Sequence, residues 1–227
     1  MSEVPKDPRA FFRWIHRLVL ESDDRVTPMG PVDEALSRSA GDLATSVRRS
    51  FWHMTFAPTW HEVRTARPLQ LAATRPGIDH RYLTSPRSIE RLPLLSSHHV
   101  GMRLAHTIGP LLVVDGATLF VGAPRGEDAA GSVWVSTVPH VVGAATACFE
   151  TVWQDSWPAV PAGSDPPFTR RMVEIGFLLT DGASDREIAR ALHLSERTIS
   201  AEVAEIVRRL GARNRAHAIA LITTGSY

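Results

Sequence analysis

The sequence predicts an α/β N-terminal region followed by a small all-α C-terminal domain. Three observations carry this prediction. Short apolar runs of strand type alternate with helical patterns between residues 50 and 157. The stretch PAVPAGSDPP at residues 158–167 then holds four prolines in ten residues. After it come short segments with helix start and stop signals. Four parts are expected: N-terminal helices at 1–49, suited to dimerisation; an α/β domain at 50–157; an extended Pro-rich linker at 158–167; and a helical domain at 168–227.

Taken in order, Asp7 to Glu21 reads as an amphipathic helix, with Asp7 as N-cap and Pro8 at the first helical position. Phe11, Trp14, Ile15, Leu18 and Val19 share one face. An apolar face this large on a short helix suits a dimer contact or packing on a sheet, and both readings stay open. Asp23 to Pro31 reads as a turn-rich break, and Val32 to Ser50 as a second helix. Strands are expected at Phe51 to Phe56, Ile78 to Leu83, Val100 to Leu104, Leu111 to Val114, Thr118 to Gly122 and Ser132 to Ser136. Asp115-Gly116 between two apolar runs is a hairpin signal. Pro58 to Arg75 reads as a helix that Pro68 bends or ends. Pro86 to Leu95 is a short helical piece, and Pro139 to Trp157 closes the region as an apolar helix.

Composition excludes several classes. The chain has 227 residues with 44% hydrophobic and 22% charged, a globular balance. The formal net charge is +1, so no global basic field advertises an acidic partner. With one cysteine, Cys148, no disulfide framework forms within a monomer. The N-terminus lacks a signal-peptide apolar core, and no apolar run approaches the ~20 residues that span a bilayer. A cytoplasmic location away from membranes is expected. His98, His99 and His106 share their spacing with no Cys or acidic residue, so neither a metal nor another cofactor is expected. Trp52, Trp60, Trp134, Trp153 and Trp157 suit core positions or a ligand pocket.

In the C-terminal domain, Arg170 to Thr180 is a helix stopped by Gly182. Ser184-Asp-Arg-Glu187 is a capping box that opens a second helix. His193-Leu194 turn the chain, Ser195 caps a third helix ending at Gly211, and a last helix starts near Asn214. Two short helices joined by a tight turn make helix-turn-helix geometry, whose second helix fits a DNA major groove. The segment FTRRMVEIGFLLTDGASDREIARALHLSERTISAEVAEIVRRLGARNRAHAIAL resembles the LuxR/GerE-type DNA-binding domain over its whole length. Glu174, Gly182, Glu187-Ile188-Ala189, Leu194-Ser195, Thr198-Ile199, Leu210-Gly211 and Asn214-Arg215 stand where that family's pattern expects them.

The resemblance implies that Ser200, Ala201 and Ala204 face base edges, under the Ser195-capped helix. It implies that Arg186, Arg197, Thr198, Arg208 and Arg215 hold phosphates. Where many family members carry a basic residue and then His after the Thr-Val/Ile pair, this chain reads Ser200-Ala201-Glu202. From Asp165 on there are nine Arg against eight Asp or Glu, a balance of +1. Phosphate neutralisation drives most non-specific affinity, so weaker and more selective binding is expected. Glu202 or Glu205 suits acceptance from cytosine N4 or a solvated helix charge.

The span Ile108 to Gly122 offers a second resemblance. Phospholipase D-like phosphodiesterases carry H-x-K-x4-D-x6-G on a strand pair. In that register Asp115 and Gly122 remain, but Ile108 replaces the His nucleophile and Pro110 the Lys. With no nucleophile, no covalent intermediate forms. Asp115 equally suits a plain turn residue. Residues 50–157 thus resemble the catalytically dead phospholipase D-like sandwich of TrmB-type and related actinobacterial regulators. The two resemblances together imply a non-enzymatic transcription regulator that binds double-stranded DNA as a homodimer, for instance over a specialised-metabolism gene set. The α/β domain would sense a small-molecule effector or dimerise. Competing expectations are a phospholipase D-superfamily phosphodiesterase and an interaction module that has lost DNA binding.

Overall fold

In the computed structural model, which describes residues 7–106, 109–123 and 131–224, Asp7 caps the first helix. Its carboxylate accepts the Ala10 N–H at 2.9 Å, and Pro8 stands first in helix α1 (Pro8–Leu20). Along the chain follow β1 (Thr27–Pro31), α2 (Val32–Ser46), β2 (Ser50–Met54), α3 (Trp60–Thr65), α4 (Arg67–Ala73), β3 (Asp79–Thr84), α5 (Pro86–Arg91) and α6 (Leu95–His98). Next come β4 (Arg103–Leu104), β5 (Leu111–Val114), β6 (Thr118–Gly122), β7 (Ser132–Ser136), α7 (Pro139–Gln154) and β8 (Trp157–Pro158). The chain ends in α8 (Arg170–Thr180), α9 (Asp185–Leu192), α10 (Glu196–Arg209) and α11 (Arg215–Thr224). Contacts divide it into two units.

The first unit comprises residues 7–58, 65–85 and 103–157, apart from the undescribed stretches. Its mixed α/β architecture is built on a sheet ordered β1-β7-β6-β5-β2-β3-β4-β8. Strands β2, β3 and β4 run parallel, whereas β5, β6, β7 and β1 form an antiparallel meander from β2. On one face Met54, Leu111, Val113, Leu119, Val121 and Trp134 pack against α1 and α7. On the other, Phe51 and Val114 meet Ala40 of α2 and Leu69 and Ala73 of α4. This strand alternation is what a sheet covered on both faces requires.

One open choice is resolved and two expectations are corrected here. Of the two readings of the α1 face, the structure has the packing one: Phe11, Phe12, Ile15, Leu18 and Val19 are buried in the first core, and Trp14 packs against it. Each such side chain contributes roughly 1.5–3 kcal/mol by burial, which the same chain already collects. The break at Asp23 to Pro31 contains strand β1, paired with β7 through Thr27↔Val135 and Pro31↔Ser132. Its prolines hide it from pattern reading but are tolerated at a sheet edge. Val100 is 75% exposed in a turn, and only Arg103–Leu104 of that expected strand pairs.

The second unit comprises residues 59–64, 86–102 and 158–224. Trp60 stacks on Phe177 with ring centroids 4.8 Å apart, and donates its indole N–H to Thr180 Oγ1 at 3.1 Å. His98 meets the same Phe177 ring edge-on at 5.0 Å. Gly176 lets Leu94 close in, since a Cβ there would fall 2.5 Å from Leu94 Cδ1. The segment 158–167 is anchored, not a free spacer. Ala159 donates its N–H to the Met102 carbonyl at 2.9 Å, and the Pro167 carbonyl accepts from Arg209 at 2.6 Å. Phe168 donates its N–H to Ser97 Oγ at 3.0 Å. The helical unit therefore recruits two segments from within residues 50–157.

Candidate nucleic-acid interface

Local chemistry fixes the helix pair α9–α10. Ser184 Oγ accepts the Glu187 N–H at 3.3 Å while Glu187 Oε2 accepts the Ser184 N–H at 2.7 Å, completing the capping box. His193 ends α9 in the left-handed region, with φ of 55°, and Leu194 N–H returns to the Ala189 carbonyl at 2.9 Å. Ser195 then caps α10, accepting the Thr198 N–H at 3.1 Å. Ile188 and Ala189 of α9 and Ile199, Val203 and Ile206 of α10 are buried. The inward stripe of α10 thereby dictates its outward one.

That outward stripe carries Arg197, Ser200, Ala201, Ala204 and Arg208, all exposed. The spacing of three to four residues places them on one side of the helix. Arg186 and Arg197 are exposed and have no ion-pair partner among the described residues. Thr198 is half-buried and its hydroxyl lies 2.8 Å from Ser195 Oγ. Arg208 is bound to Glu205, its Nε donating to Oε2 at 2.7 Å, and Arg209 donates to the same carboxylate at 2.7 Å. These two guanidiniums lower the Glu205 carboxyl to about 2. Arg215 is paired with Asp185 and also donates to the Ala183 carbonyl at 2.5 Å.

Two residues change character against the sequence reading. Glu202 is not a solvated helix charge: its side chain is 12% exposed, and Oε1 accepts the Arg171 Nε–H at 2.8 Å. It fastens α10 to α8 and is turned from the outward stripe. Asp185, read only as part of the capping box, accepts the Ser200 hydroxyl at 2.6 Å and pairs with Arg215. The Ser200 hydroxyl is the main cause that holds the Asp185 carboxyl below its ordinary value, against burial and with help from Arg215. This link joins positions 15 apart across a turn. No periodicity rule pairs them, so the sequence carried no signal for it.

In the first unit, the described residues of the span that resembles a phosphodiesterase motif serve packing and a turn. Ile108 lies outside the described residues. A Cβ on Gly122 would fall 2.7 Å from Pro110 Cγ, so the ring at the Lys position occupies the space beside the glycine. Asp115, with φ of 55°, turns the β5–β6 hairpin, and its carboxylate accepts the N–H groups of Arg49 at 2.7 Å and Ser50 at 2.8 Å. Burial alone would raise this carboxyl, but the Ser50, Arg49 and Arg48 N–H groups outweigh it and hold it low. His106 is exposed, its ring 5.8 Å from that of Trp157. His98 and His99 belong to the other unit, with ring centroids 4.6 Å apart. Among the described residues no group of three or more His, Cys, Asp or Glu is placed to hold a metal ion. Trp60 and Trp134 are core residues, Trp52 and Trp153 stack on Phe149, and Trp157 is 41% exposed. No helix among the described residues is long and apolar enough to cross a membrane.

Comparison with known proteins gives a family match for the C-terminal helices and distant likenesses among solved structures. Residues 166–222 match the family described as bacterial regulatory proteins, luxR family. A curated relative, the response regulator RamR of Streptomyces coelicolor, is 38% identical over 69 residues. That match covers 30% of this chain and 34% of RamR, so the chain spans about a third of that relative's length. Among solved structures, Nuc from Salmonella typhimurium, a phospholipase D family member, aligns over 58% of this chain and 94% of its own. Its TM-score is 0.44 and its identity 15%. TrmBL2, an archaeal chromatin protein, aligns over 66% of this chain and 61% of its own, with a TM-score of 0.46 and 12% identity. The helix-turn-helix formed by α9 and α10 thus lies within the segment, residues 166–222, that is similar to the luxR family of bacterial regulatory proteins.

Proposed function

We propose that the chain is a cytoplasmic, sequence-specific transcription regulator that binds double-stranded DNA through α10. The observation that carries this reading is the exposed stripe Arg197, Ser200, Ala201, Ala204 and Arg208 on a helix whose opposite side is buried. A helix so presented after a tight turn fits the major groove, with small side chains at base edges and cations toward phosphates. Arg186, Arg197 and the Ser195–Thr198 cap supply the backbone contacts. Arg208 and Arg215 reach phosphates only by sharing themselves with Glu205 and Asp185.

So few uncommitted cations give one copy little affinity, because each neutralised phosphate is what releases counterions. Two copies in a homodimer gain effective concentration from their linkage. Two-fold symmetry then calls for inverted half-sites about one helical turn apart. The first unit serves as the module that pairs copies or senses a small-molecule effector, and the genes controlled are those of specialised metabolism. The test is a gel-shift titration of the full chain on its own upstream region and on random duplex at several salt concentrations. Preferential binding with a shallow salt slope is expected. Equal binding to every duplex overturns the reading.

A further inference from the structure

We propose that the α10 stripe reads A·T base pairs, with Ser200 locked by Asp185 as a hydrogen-bond acceptor. This rests on the DNA-binding reading above and specifies its ligand. A serine hydroxyl has one proton and two lone pairs. The Ser200 proton is spent on Asp185 Oδ2 at 2.6 Å, the short range of an O–H donor on a carboxylate. An ionised carboxylate cannot return a proton, so the assignment has one direction.

Asp185 is itself fixed. Its other oxygen takes Arg215 Nη1, and the same guanidinium holds the Ala183 carbonyl. Turning Asp185 away from Ser200 would disturb this network. Arg215 also balances the carboxylate charge, which would otherwise repel a duplex. Exposed Ser200 therefore offers a groove lone pairs alone.

The major groove presents amino donors at adenine N6 and cytosine N4, and acceptors at guanine O6 and N7, adenine N7 and thymine O4. An acceptor-only hydroxyl pairs with adenine or cytosine and has nothing to give guanine or thymine. Ala201 and Ala204, one and four positions on, are exposed and end in methyl groups. Their natural counterpart is the thymine C5 methyl. Of the two base pairs, A·T alone presents both an amino donor and a methyl. Arg208 is engaged with Glu205, so the stretch from Ser200 to Ala204 has no donor for guanine, and Glu202, an acceptor that would suit cytosine N4, is engaged with Arg171.

The test is selection of random duplexes by the full chain, with Ser200→Ala and Asp185→Asn alongside. The wild type is expected to enrich half-sites with A·T pairs at the positions that respond to these variants. Ser200→Ala should lose the preference at one position per half-site. Asp185→Asn should admit guanine or thymine there, because the freed hydroxyl can then donate. Replacing thymine by uracil at the enriched pairs should weaken binding about fourfold per methyl, the worth of one buried CH2-sized group. Thermal melting checks each variant, and if Asp185→Asn fails to fold, Ser200→Ala and the uracil duplexes decide. Guanine or thymine at the Ser200-dependent position overturns the proposal, as does an unchanged profile in folded Asp185→Asn or indifference to uracil. Failure to enrich any sequence overturns the regulator reading itself.

Discussion

Arg171 donates its Nε–H to Glu202 at 2.8 Å, and so ties α8 to the helix that carries the exposed stripe proposed to face DNA. Charge counting along α10 would suggest that Glu202→Lys adds a phosphate contact and strengthens binding. The geometry predicts another result. The new ammonium would face Arg171 from a site that is 12% exposed. Losing a charge-assisted hydrogen bond there costs about 2 kcal/mol. Thermal melting should show a clear loss of stability for Glu202→Lys, with no gain in DNA affinity. The double swap Arg171→Glu with Glu202→Lys should recover part of it, as a coupled pair requires. Tighter DNA binding by a fully stable Glu202→Lys would place Glu202 at the groove after all.

Asp115→Ala should destabilise the first unit by about 2 kcal/mol, because the exposed Arg49 N–H and the half-buried Ser50 N–H lose a charged acceptor. The pH dependence follows from a carboxyl held below its usual value in the folded chain. Its contribution is complete above the unfolded value near 3.9 and fades as pH falls through the lower folded value. Denaturant melts of wild type and Asp115→Ala should thus differ at neutral pH and converge in acid. A constant difference down to pH about 2 would show that the carboxylate charge is irrelevant to the clip.

No turnover of a chromogenic phosphodiester is expected, since Pro110 stands at the Lys position and packs against Gly122. Gly122→Ala should instead read out as stability, costing roughly 1–3 kcal/mol as the methyl meets the proline ring. Metal-independent hydrolysis that disappears in His106→Ala would show that the phosphate-handling register is shifted by two residues.

Legibility in the sequence tracked locality. Asp7, Ser184 and Ser195 announced their helices because a cap acts within three residues, and all three accept the N–H expected of them. Strands β5, β6 and β7 were legible from alternation and the Asp115-Gly116 turn. Strand β1 was not, because Thr-Pro-Met-Gly-Pro carries breaker residues and owes its pairing to β7, about a hundred residues away. At the interface, which α10 residues face outward was legible from the buried stripe. What their heads do was not: Asp185 on Ser200 and Arg171 on Glu202 are contacts between helices, set by tertiary packing.

The same limit bears on how much of the chain the helix-turn-helix needs. A fragment starting at Phe168 matches the family pattern but leaves behind Trp60, Leu94 and His98, which cover Phe177 and Gly176. Removing a large buried side chain costs roughly 3–5 kcal/mol for an aromatic and 2–5 for a leucine. A domain of this size holds only about 0.05–0.15 kcal/mol per residue in total. The cover is therefore comparable to the whole stability of the fragment. Residues 168–227 alone should melt at much lower temperature than the corresponding unit in the full chain, or without a cooperative transition. Trp60→Ala in the full chain should lower the melting temperature of that unit and weaken DNA binding, although Trp60 lies about 140 residues from Ser200 in sequence. Circular dichroism melts of fragment, variant and full chain make the comparison. Equal melting of fragment and full-chain unit would mean that residues 59–64 and 86–102 rest on the helices without supporting them.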